Sequence, residues 1–194
     1  MNIPRPNTNE INSCLAKWNN LENYVLQESS LKKLFTITYP HNNDIDDVLI
    51  KVCSLNDFYS TNIYSPFSVA KHIVSLDIDN KLVAADISIV NKIAEVQMPG
   101  GKTRNFYSFA SKYCSHHQPN VYPIYDSFAE KMLLHFKKVD KFSSFKKDQL
   151  KDYPNYKSII LKFRNHYKLT NHNLKEIDKY LWLKGKEFFL KKKY

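Results

Sequence analysis

The chain has 194 residues, enough for one domain with a sizeable core, and its 43% apolar and 14% aromatic content excludes a disordered tail. Its three glycines, Gly100, Gly101 and Gly185, are too few for the turns of an all-β sandwich or barrel, and no glycine-rich phosphate loop or dinucleotide fingerprint occurs. Lys and Arg outnumber Asp and Glu by 29 to 19, and the formal charge of +10 favours encounter with polyanions, although a Lys- and Asn-rich, AT-biased genome would leave the same balance.

The expected fold class is therefore all-α, a compact multi-helix single domain. Residues 1–9 are polar, interrupted by Pro4 and Pro6, and expected to be flexible or lightly docked. From Glu10 to about Thr38 the residues Ile11, Leu15, Trp18, Leu21, Val25 and Leu26 recur at helical spacing, and Pro40 closes the segment. The acidic stretch 43–47 starts a helix whose inner face carries Val48, Val52, Leu55 and Phe58 or Tyr59. Shorter helices are predicted over 67–76 and 87–96, followed by the one glycine turn at 99–104. Helices over 106–117 and 127–138 flank a proline loop, so a core over 44–138 precedes carboxy-terminal helices in 150–194. No strand alternation or linker is visible, and the lysines at 191–193 read as a solvated tail.

Cys14, Cys53 and Cys114 are odd in number and lack a CxxC pair, which points to reduced thiols in a cytoplasmic protein. The seven histidines show no ligand spacing, so no metal or cofactor is expected. No apolar run has the length of a membrane span, and the first ten residues lack the order of a signal peptide. The expected protein is a monomer that does not engage membranes. Its 13 Tyr and 12 Phe add rings that stack on exposed bases while Lys and Arg follow phosphates, making DNA the expected partner.

Three features of residues 99–133 could carry chemistry. Gly100 and Gly101 precede a helix, with Lys102, Thr103, Arg104 and Asn105 alongside; such a turn lets a phosphate approach the backbone, but it is also an ordinary loop. Asp126 follows two prolines and stands just before a helix. A helix cap is the ordinary role there, yet Ser127-Phe128-Ala129-Glu130 itself matches the capping box, which would leave the Asp126 carboxylate to another task. Lys112 lies mid-helix, where lysine is usually at the surface; a buried position near a carboxylate would make it a candidate.

The order glycine turn, basic residues, helix, proline loop, Asp, helix resembles the core of the helix-hairpin-helix DNA glycosylases. MPGGKT is similar to a shortened form of their hairpin, and YPIYDS to the segment that presents their catalytic Asp. The stretch KVCSLNDFYSTNI is similar to the earlier helix whose polar end approaches DNA. The resemblance covers about residues 44–134. It implies a catalytic role for Asp126 and pocket or wedge roles for Asn56, Asp57, Tyr59, Thr61 and Asn62, each of which also suits the end of a helix. It makes Lys102 the positional candidate for a sugar-attacking lysine, while aligning FASK places Asn105 there instead. Hydrolytic base release is therefore expected before lyase chemistry.

That reaction needs an extruded base and a strand held by its phosphates. Cleavage of the N-glycosidic bond builds positive charge on the sugar, which a carboxylate at Asp126 would stabilise while orienting water. Two alternatives stay open: a non-catalytic nucleic-acid-binding protein, and a helical defence or interaction module. Defence against phage DNA with modified bases would suit the size, although no residue indicates it.

Overall fold

The computed structural model describes residues 3–190. The chain is mostly helical and forms two compact units: one comprises the chain through Val25 with the chain from Pro123 onward, and the other Leu26–Tyr122. The lysines at 191–193 lie outside the described residues.

In the first unit α1 (Thr8–Asn19) starts at Asn7, whose side chain accepts from Glu10 N at 3.0 Å. Of the stretch expected to be flexible or lightly docked, Ile3 and Pro6 are buried, and Arg5 pairs with Asp140 at 2.7 Å. The unit continues with α8 (Ser127–Asp140), a 3-10 turn at Lys147–Lys151, α9 (Tyr153–His166) and α10 (Leu174–Phe189). Asn173 and Glu176 close a reciprocal capping box on α10, satisfying free N–H groups of its first turn. Gly185 lets α10 pass close to α8, since a Cβ there would stand 2.6 Å from Phe128 Cβ. Met132, Leu133, Phe136, Ile160, Phe163 and Leu181 fill the core.

The helical stretch expected over Glu10 to Thr38 is broken, with α2 (Glu22–Lys33) following α1 and ending in a π-helical turn at Leu34–Thr38. In the second unit α3 (Ile45–Tyr59) begins where the acidic run predicts, because Asp44 Oδ1 accepts from Asp46 N and Asp47 N. Its end is marked by Ser60 in the left-handed conformation, φ +48°. Pro66 opens α4 (Pro66–Ser75), where its missing N–H costs nothing. Then come α5 (Asp79–Val83), α6 (Ile89–Ala94) and α7 (Tyr107–His117). Phe35, Val52, Leu55, Ile73, Ile93 and Phe109 are buried in this unit.

The mostly helical chain agrees with the all-α expectation, and one short hairpin interrupts it between α6 and α7. Strands β1 (Glu95–Gln97) and β2 (Thr103–Asn105) pair antiparallel, with Val96 opposite Arg104. Gly101 N donates to Met98 O at 3.1 Å around Pro99 and Gly100, and Gly100 has φ +88°, the type II arrangement. The glycine pair thus turns a β-hairpin, not a link from helix to helix. Strands of three residues are too short to show a period in sequence.

Candidate functional site

Lys112 is buried despite its charge, at 5% exposure. Helix α7 is buried along almost its whole length, so no face sends this side chain to water. One helical turn separates Lys112 from Ser108, and its Nζ lies 2.5 Å from Ser108 Oγ and 3.4 Å from Ser108 O. The same ammonium sits 5.2 Å from the centre of the Tyr59 ring. Tyr59, the last residue of α3, places its hydroxyl 3.1 Å from His116 Nε2. Lys112 and Tyr59, singled out from separate stretches of sequence, therefore meet. Ser108 and His116 join them and were missed. Their signal was the i, i+4 spacing about Lys112, on a helix whose amphipathic pattern is weak.

The other candidates of this unit are arranged differently. Gly100, Gly101, Lys102, Thr103, Arg104 and Asn105 are all exposed on the hairpin that enters α7. Lys102 lies on its turn and not at a helix start, which removes the positional reason for making it a nucleophile. Asn56 anchors the bend after α3: its Nδ2 donates to Ile63 O, and its Oδ1 accepts from Thr61 Oγ1 at 2.8 Å and Ile63 N at 3.0 Å. That is the end-of-helix role. Asn62 is exposed with φ +58°, and Asp57 is exposed.

In the first unit the capping argument for Asp126 is overturned. Asp126, with extended backbone (φ −148°), is itself the N-cap of α8, and its Oδ1 accepts from Phe128 N at 2.8 Å and Ala129 N at 2.7 Å. Ser127 is the first helical residue. Glu130 is buried instead of reaching back as a capping-box partner. It accepts from the Tyr125 hydroxyl and pairs with Lys147 and Lys151, each at 3.3 Å. Burial alone would push its carboxyl up, but the Tyr125 hydrogen bond and the Lys151 charge outweigh that and hold it below the ordinary range.

The segment leading into Asp126 is held at three points. Tyr153 OH donates to Pro123 O at 2.7 Å, Tyr156 OH to Ile124 O at 2.6 Å, and Ile124 N to Asp178 Oδ2 at 2.8 Å. Sequence reading missed all three partners because they lie 30 to 54 residues away. They leave Asp126 partly exposed at the end of a rigid approach.

A second buried lysine was missed. Lys51 Nζ donates to Tyr39 O at 3.0 Å, His41 O at 2.6 Å and Asn42 Oδ1 at 2.7 Å, and lies 5.6 Å from the centre of the Phe35 ring. Asn42 Oδ1 also accepts from Tyr113 OH at 2.6 Å and stands 3.2 Å from His117 Nε2, while Asn42 Nδ2 donates to Asp79. Among the described residues no group of three His, Cys, Asp or Glu side chains could hold a metal ion.

These features define a basic, mostly helical protein with a lysine-centred polar site inside its second unit. No helix among the described residues is long and apolar enough to cross a membrane. The chain belongs to the HI_0787_N family, whose N-terminal domain model matches residues 10–121. A Haemophilus influenzae protein described as uncharacterized is 49% identical to it over 150 residues, covering 77% of this chain and 71% of that protein. No solved structure matches. The family match ends just before Tyr122, the last residue of the second unit. It therefore takes in the Lys112 cluster, the hairpin and the Lys51 network, and stops short of Asp126.

Proposed function

We propose that the chain is a DNA glycosylase that releases a modified base after drawing it out of the duplex. The observation that carries this reading is the buried Lys112 amine, placed on the Tyr59 ring and against the Ser108 hydroxyl at the polar end of α3. A ring beside an amine suits a base edge and a sugar carbon, and burial excludes competing water. The exposed hairpin supplies Lys102 and Arg104 for phosphates. The resemblance to the glycosylases, taken by itself, gives Asp126 of the first unit the part of the carboxylate that balances charge on the sugar as the N-glycosidic bond breaks.

In the hydrolytic route water attacks C1′, and the bonding pair leaves with the base. If Lys112 attacks instead, its ammonium first gives up a proton to solvent, and the amine displaces the base from C1′ with the bonding pair. The C1′–O4′ bond then opens with a proton moving from nitrogen to O4′, which leaves an imine that borohydride reduces to a stable adduct. Duplexes carrying a panel of modified bases, assayed for abasic sites and for trapped adducts, test the proposal. Base release is expected from the wild type and not from Asp126→Asn or Lys112→Gln. Release at the wild-type rate by both variants overturns the assignment.

A further inference from the structure

A separate cluster of rings and lysines lies on the first unit. Trp18 of α1 and Tyr24 of α2 stack with centroids 5.7 Å apart, and Trp182 of α10 meets them edge-on at 5.8 and 5.1 Å. All three rings are partly exposed. Phe128 also meets Trp182 edge-on at 6.4 Å, and lysines stand over the rings. Lys179 stands 5.0 Å from the centre of the Trp18 ring, and Lys186 4.9 Å from that of Trp182 and 5.0 Å from that of Tyr24. Lys186 also donates to Tyr24 OH at 2.6 Å, and among the described residues it forms no ion pair.

We propose that this face binds single-stranded nucleic acid by stacking unpaired bases on Trp18, Tyr24 and Trp182. A lysine over a ring is a displaceable cover, since a cation–π contact at an exposed site is worth only about one to two times thermal energy. A phosphate offers the Lys186 ammonium a stronger, charge-assisted partner, and the vacated ring face accepts a base. Both exchanges favour one ligand, a polyanion with accessible rings. A duplex keeps its base faces stacked and satisfies only the first exchange. The lysines repel a cationic ligand, which an aromatic cluster would otherwise suit.

The experiment is tryptophan fluorescence of the full chain titrated with oligothymidylate of about 12 nucleotides, a duplex of equal length, inorganic polyphosphate and tetramethylammonium. Quenching is expected with oligothymidylate alone. Trp182→Leu should weaken that binding about tenfold, and Lys186→Gln, at a partly exposed site, should weaken it and lower its salt dependence without disturbing the fold. Lys112→Gln should bind like the wild type, so failure here is distinct from failure of the glycosylase reading. Equal quenching by polyphosphate or by the duplex overturns the proposal. So does quenching by tetramethylammonium alone, or unchanged affinity in both Lys186→Gln and a folded Trp182→Leu.

Discussion

Lys51 on α3 and Lys112 on α7 are both buried in the second unit, but their surroundings are of different kinds. Lys51 is fully enclosed, and its three N–H groups meet three oxygens, two from the backbone and one from the buried Asn42. Burial draws its pKa down to about 8, against the pull of Asp79 and Asp47. Lys112 reaches the Ser108 hydroxyl and, at 3.4 Å, the Ser108 carbonyl, and it faces the Tyr59 ring; both Ser108 and Tyr59 are partly exposed. A buried ammonium with fixed, saturated acceptors holds a fold together. One whose neighbours border on solvent can exchange a hydroxyl for a substrate.

The largest expected effect separates the two lysines by activity. Lys112→Gln should lower base release at least about a hundredfold while shifting stability by less than about 1.5 kcal/mol. Lys51→Met should do the reverse, costing about 3–5 kcal/mol because three oxygens lose their donor together. Denaturant midpoints measured beside base-release rates check both. Two variants that lose stability equally and keep activity would erase the distinction.

A smaller effect probes the Lys51 network through pH. Burial and the neighbouring Lys51 charge hold His117 at a pKa of about 3, with Asp79 opposing and His41 adding to the depression. Because the folded pKa lies below the ordinary value, the contribution is complete above about pH 6.5 and is lost as pH falls toward 3. The loss approaches about 1.4 kcal/mol per pH unit. His117→Phe should flatten urea midpoints over that range. An unchanged acid slope would mean that this imidazole takes up its proton without unfolding.

Legibility followed the range of the forces involved. Asp44 before an apolar stripe and Pro66 at a first turn announce α3 and α4 because capping and φ restriction act within a few residues. Lys51 could have been noticed, since it shares the stripe of Val48, Val52 and Leu55, yet its partners Tyr39, His41 and Asn42 come from an irregular stretch. Lys112 was visible as a lysine in a helix, whereas its burial depends on packing that local sequence does not encode. The hairpin hid because its strands are three residues long. Tyr153, Tyr156 and Asp178 were invisible as supports for the segment before Asp126, because each lies in a helix distant in sequence.

Asp126 marks the limit of local reading, because Asp and Ser are both good caps and stand side by side. Only the extended backbone at residue 126 and the two bonds to its Oδ1 decide between them. That geometry also gives the finest test, since capping needs an oxygen and charge balance needs an anion. Asp126→Asn keeps the acceptor, so stability should stay within about 0.5 kcal/mol while base release disappears. Asp126→Ala should lose the cap as well, costing about 1 kcal/mol. If the Asn variant releases base like the wild type, Asp126 is a cap alone, and the chemistry rests with the second unit.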